Sequence, residues 1–103
     1  MMRDKKRYLL VESTVPINED ERSFGNALYR EIIIAIGEIG YHRVNPKLMK
    51  ITNEKRFIIK SSLEGASQLV LAFALIKRLK NAEAAFYTLK SSGTMKALQS
   101  FDA

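Results

Sequence analysis

Apolar positions change their period along this chain, and the changes divide it into elements. From Arg7 to Val15 the run Arg-Tyr-Leu-Leu-Val-Glu-Ser-Thr-Val is rich in β-branched and aromatic residues. Apolar residues fall at both parities in its middle, which predicts a central strand covered on both faces. Pro16 ends it. Asn18 followed by Glu21 reads as a helix start, with Glu19, Asp20 and Glu21 placed where the helix dipole favours negative charge. That placement accounts for the acidic run without a metal. Phe24, Leu28, Ile32, Ala35, Ile36 and Ile39 then recur at helical spacing, so an amphipathic helix should end near Gly40. Ile33 and Ile34 widen its stripe, which implies deeper burial or cover by a protein partner.

Tyr41 to Asn45 reads as a loop. Lys47-Leu48-Met49-Lys50-Ile51-Thr52 and Lys55-Arg56-Phe57-Ile58-Ile59-Lys60 read as strands of a basic hairpin turning at Asn53-Glu54. Ser61 with Glu64 has capping-box spacing. The apolar run from Leu69 to Ile76 predicts a second helix, closed by Lys77-Arg78-Leu79-Lys80-Asn81. That run is too short to span a membrane. Ala84 to Leu89 supplies a fourth strand and the C-terminal segment a short third helix. The order βαββαβ with an added helix predicts an α+β fold: a ferredoxin-like or RNA-recognition-motif-like sandwich, its four-stranded antiparallel sheet carrying two helices on one face. A chain of 103 residues, 47% hydrophobic and without repeats or linkers, fits one domain over residues 1–103.

Charge narrows the partners. The net charge of +6 favours a polyanion such as nucleic acid. Arg43, Lys47, Lys50, Lys55, Arg56 and Lys60 fill the middle of the chain against Glu54 alone, whereas acidic residues collect earlier, so one side should be basic and another acidic. With no cysteine, disulfides and thiolate metal sites are excluded. The charged start from Met1 to Arg7 runs directly into a strand and is no signal peptide, so a cytoplasmic protein is expected. His42 is the only histidine and has no nucleophile or ligand cluster at useful spacing, so the chain alone is poorly supplied for catalysis.

Binding chemistry is better supplied. Tyr8 and Phe57 invite comparison with the base-stacking aromatics of RNA-recognition motifs. Strand parity argues otherwise: Arg56, Ile58 and Lys60 share the face that should be solvent, which turns Phe57 into the core. Phosphate contacts are therefore expected, from the hairpin, from Lys77, Arg78 and Lys80, and from Lys5, Lys6 and Arg7. At the other end, Ser91-Ser92-Gly93-Thr94-Met95-Lys96 joins a strand to a helix. There free N–H groups, hydroxyls, Lys90 and Lys96 suit a phosphate, or else Ser92 or Thr94 is an ordinary N-cap.

Lys6-Arg7-Tyr8-Leu9-Leu10-Val11-Glu12, the acidic helix start, the basic strand, and Ser92-Gly93-Thr94-Met95-Lys96-Ala97-Leu98-Gln99 together resemble protein component 2 of ribonuclease P. This is the archaeal and eukaryotic family of Pop-five-type small subunits. The resemblance implies a non-catalytic protein of a ribonucleoprotein endonuclease that removes the 5′ leader from precursor tRNA. The ribonuclease P RNA is then the catalyst, using Mg²⁺, and the chain binds no cofactor itself. The implied partners are that RNA, a TIM-barrel-like protein component 3 in a heterotetramer of two pairs, and other ribonuclease P protein subunits. The residues assigned to RNA are Lys6, Arg7, Lys55, Arg56, Lys60, Thr94 and Lys96. A stand-alone RNA-recognition module would instead stack bases, and an acylphosphatase-like enzyme would want a glycine-rich loop that Ser13 to Asn18 does not offer.

Overall fold

The computed structural model describes residues 5–80 and 82–102; residues 1–4 and Asn81, for which a charged start and a helix stop are expected, lie outside them. In chain order the elements are β1 (Lys6–Ser13), α1 (Glu21–Val44), β2 (Lys47–Asn53), β3 (Arg56–Ser62), α2 (Ala66–Leu75), β4 (Arg78–Leu79), β5 (Ala82–Glu83), β6 (Phe86–Ser92) and α3 (Met95–Asp102). The antiparallel sheet runs β2-β3-β1-β6, the ferredoxin-like order, and β4-β5 form a small separate hairpin.

Alternation along the two central strands builds the layers. Leu9, Val11, Phe57 and Ile59 point to one face and meet Phe24, Leu28 and Ile32 of α1 and Leu69 and Phe73 of α2. Phe57 sits at the centre. Its ring lies edge-on to Phe24 at 5.1 Å, to Phe73 at 5.9 Å and to Phe86 at 6.1 Å, geometries that suit the aromatic quadrupole. Leu10 and Ile58 point to the opposite face, where α3 covers them with Leu98. Ile58 is therefore buried rather than solvent-facing, because the C-terminal helix closes the face that parity had left open.

Several local expectations are corrected. The cap of α1 is Asp20, whose carboxylate accepts from the Ser23 N–H at 3.1 Å, and not Asn18. The helix continues through Tyr41–Val44 to a left-handed Asn45, so that stretch is no loop. It is interrupted at Gly37, whose φ of 79° breaks helical geometry, a conformation glycine reaches without Cβ strain. The break resets the helical phase, and Ile39 ends 79% exposed instead of joining the stripe. The β2-β3 turn is Glu54-Lys55, with Asn53 opposite Arg56, one residue later than expected. Ser61 is a buried residue of β3 and no cap: Gly65 precedes α2 without a side-chain cap. Lys77 to Lys80 do not close α2, which ends at Leu75, because Arg78 and Leu79 pair as β4 with β5. The fourth sheet strand starts at Phe86, not Ala84.

Phe57→Ala should lower the unfolding free energy by about 3–5 kcal/mol in urea denaturation, whereas Ile39→Ala should change it by no more than about 0.5 kcal/mol. Comparable losses would contradict both the central place of Phe57 and the phase break at Gly37.

Candidate nucleic-acid interface

Register brings distant cations to one end of the sheet. Lys6 faces Ser62 and Tyr8 faces Lys60 across β1-β3, while Lys47 faces Lys60 across β2-β3. The end of α1 is tied to the same corner. The Ser62 hydroxyl donates to the Arg43 carbonyl at 2.8 Å and accepts from the Gly65 N–H at 3.0 Å, and the Leu63 N–H donates to the Lys5 carbonyl at 3.1 Å. Gly65 suits this turn because a Cβ there would stand 2.6 Å from the Val44 Cα. The three segments frame an open cleft of about 700 Å³, lined by Lys5, Lys6, His42, Arg43 and Lys60 with Glu64 as its one carboxylate.

Burial, followed by the charge of Lys6, a hydrogen bond that the neutral Lys60 amine accepts from Lys6, and the charge of Lys47, holds Lys60 below the ordinary lysine value. Like charges so arranged oppose folding, and an anion set among them would relieve the repulsion. On the helical side, burial and then the neighbouring Tyr29 raise the Tyr41 phenol. The Tyr29 hydroxyl accepts from the Leu48 N–H at 2.7 Å and so anchors β2 to α1 beside the cleft.

The Ser-Gly-Thr junction also lies at this end of the sheet, with Ser92 opposite Tyr8. The Thr94 hydroxyl accepts from the Ala97 N–H at 3.4 Å, and the Ser92 hydroxyl accepts from the Thr94 N–H at 3.2 Å. Thr94 is thus the N-cap of α3 and Ser92 supports it. A Cβ on Gly93 would lie 3.9 Å from the Arg7 guanidinium, which places Arg7 alongside the junction. Lys96 is exposed in the first turn of α3.

Of the sequence-assigned residues, Lys6 and Lys60 line the cleft, and Arg7, Thr94 and Lys96 stand at the same end of the sheet. Lys55 and Arg56 are at the opposite end. The Arg56 guanidinium donates to the Glu12 carboxylate at 2.9 Å, and Lys55 is exposed in the hairpin turn. The basic hairpin is therefore divided between the two ends. Lys80 is bound to Glu19 and, at 3.1 Å, to the Ser23 hydroxyl. Residue spacing alone did not place His42 and Arg43 in the site. They reach it because α1 continues past Gly40, which the phase break at Gly37 hides from the apolar periodicity. Among the described residues no group of three His, Asp or Glu side chains could hold a metal ion, and no helix is long and apolar enough to cross a membrane.

Because the folded pKa of Lys60 lies below the unfolded value of 10.5, the unfolded chain binds more protons between the two values, and stability should rise with pH across that window. In an NMR titration the Lys60 amine should lose its proton below the ordinary lysine range. Lys6→Met should shift its transition upward, as should added polyphosphate. A Lys60 transition indifferent to Lys6 would contradict the proposed coupling.

Comparisons with known proteins agree with this architecture. A sequence model of the Rpp14/Pop5 family matches residues 7–102. Curated proteins give no significant sequence match. Among solved structures, a chain of the yeast ribonuclease MRP cryo-EM structure superposes with a TM-score of 0.62 at 9% identity, covering 92% of this chain and 79% of that one. At that identity the likeness is one of fold. The family match spans β1 to α3, including the Arg-Tyr-Leu-Leu opening and the Ser-Gly-Thr junction, and the chain belongs to the Rpp14/Pop5 family.

Proposed function

We propose that this chain, by family a subunit of a ribonuclease P/MRP-type ribonucleoprotein, supports the catalytic RNA by holding its phosphates in the basic cleft. The observation that carries this reading is the meeting of Lys5, Lys6, Arg43, Lys47 and Lys60 at one corner, where burial and the neighbouring Lys6 and Lys47 disfavour the Lys60 charge. An RNA core that gathers phosphates around Mg²⁺ repels itself. Cations fixed by a folded protein lower that repulsion and with it the Mg²⁺ requirement. The chemical step, removal of the 5′ leader of precursor tRNA, belongs in this reading to the RNA and its Mg²⁺. This protein contributes only charge and position. Its protein partners would include the TIM-barrel-like component 3, in two associated pairs.

Base stacking on the sheet, the route of a stand-alone RNA-recognition module, is disfavoured by α3, which occupies that face through Leu98, Met95, Leu10 and Ile58. Phosphate contacts need no such face.

In reconstituted precursor-tRNA cleavage at limiting Mg²⁺, omitting this chain should raise the Mg²⁺ requirement sharply or abolish 5′ processing. Lys6→Ala and Lys60→Ala should each weaken RNA binding and reduce the salt slope by roughly one. Arg56→Ala should change the slope less, since Glu12 already neutralises that charge. Unchanged cleavage on omission refutes the subunit role, and an unchanged slope in the cleft variants refutes the cleft.

A further inference from the structure

The sheet's two outer edges are finished differently. On β2 the Leu48 N–H donates to the Tyr29 hydroxyl and the Ile51 N–H to the Glu21 carboxylate at 3.1 Å. Two register shifts bend the strand, and Lys47 and Lys50 are exposed on it. Each of these features hinders the pairing of another strand.

β6 also has a register shift and an exposed lysine, Lys90, but its first residues are less protected. Among the described residues no side chain hydrogen-bonds to the backbone of residues 86–89, and the register shift and Lys90 come only after Thr88. Beside this edge a groove of about 280 Å³ separates β6 from α2, lined by Val70, Phe73, Ala74, Lys77, Tyr87 and Thr88. Tyr87 is 58% exposed, and the Thr88 hydroxyl is buried with no hydrogen-bond partner. The groove contains a lysine and no carboxylate. It lies at the start of β6, where Phe86 faces Ser13, and so at the opposite end of the sheet from the basic cleft.

We infer that the β6 edge and its groove receive an extended segment of another protein subunit of the same particle, added as a fifth strand, with apolar side chains toward Val70 and Tyr87 and a carboxylate toward Lys77. The unpaired backbone selects a strand. The apolar floor selects protein over nucleic acid, and the lone cation selects an acidic residue. The inference rests on the ribonucleoprotein reading above, since it takes the strand from a fellow subunit.

Hydrogen exchange on the full chain separates the outcomes. Mixed with the other protein subunits of the particle and no RNA, the amides of residues 87–89 should be protected relative to the free chain. Tyr87→Glu and Val70→Glu should each weaken that association by roughly tenfold or more while leaving RNA binding and its salt slope as in the parent chain. Assembly into the particle with these amides still unprotected overturns the strand while leaving the ribonucleoprotein reading intact. Failure to assemble at all overturns both. Protection that appears only with RNA makes RNA the occupant, and protection that grows with the concentration of the chain alone makes a second copy the occupant. Either result also overturns the inference.

Discussion

The parity of β3 at Phe57 determines most of what this protein presents to a partner. Its ring is held edge-on by Phe24, Phe73 and Phe86. Were the strand to slip by one residue, that cluster would be lost and every neighbouring side chain would change face. With Phe57 inward, Arg56, Ile58 and Lys60 must point the other way. Three different solutions follow along one strand: Arg56 pairs with Glu12, Ile58 is covered by α3, and Lys60 joins the cations at the sheet's end. One aromatic anchor thus fixes the register that positions the charge.

The two ends of the sheet also carry different chemistry. At one end, loops and the end of α1 converge on lysines and Arg43. At the other, the Ser13 N–H donates to the Lys55 carbonyl at 2.7 Å and the Thr14 N–H to the Ala85 carbonyl at 3.0 Å, joining the turns to one another. Cations converge at the first end, whereas at the second Arg56 is paired with Glu12 and backbone hydrogen bonds join the turns. The separation would let the proposed RNA surface and the inferred protein surface coexist on a chain of 103 residues without competing for the same side chains.

Much of the fold was legible from the sequence. The period-2 and period-3.6 patterns gave the element order, the parity argument placed Phe57 inward, and Thr94 was one of two candidate caps. What escaped the reading has specific physical causes. Gly37 within a helical pattern signals weakness but not a phase reset, so the inclusion of Gly40, Tyr41 and Val44 in the packed side was hidden. Ser61 and Glu64 match a capping box by spacing, yet strand pairing with Arg7 claims Ser61 first. Lys77 to Lys80 look like a favourable helix terminus, but the β4-β5 pairing they join is a tertiary matter. The cleft was only half legible, because Lys6, Arg43 and Lys60 are neighbours only once register and the extended α1 bring them together.

The end of α1 has a further consequence. His42 and Arg43 occupy its last turn and line the corner where the lysines gather, and the Arg43 carbonyl accepts from the Ser62 hydroxyl of that corner. A helix C-terminus carries roughly half a negative charge, felt mainly within its last turn. The helix end thus supplies a partial counter-charge that softens the mutual repulsion of the cations. The cleft stands assembled in the free chain, and an anion bound there as proposed would not bear the whole cost of bringing like charges together.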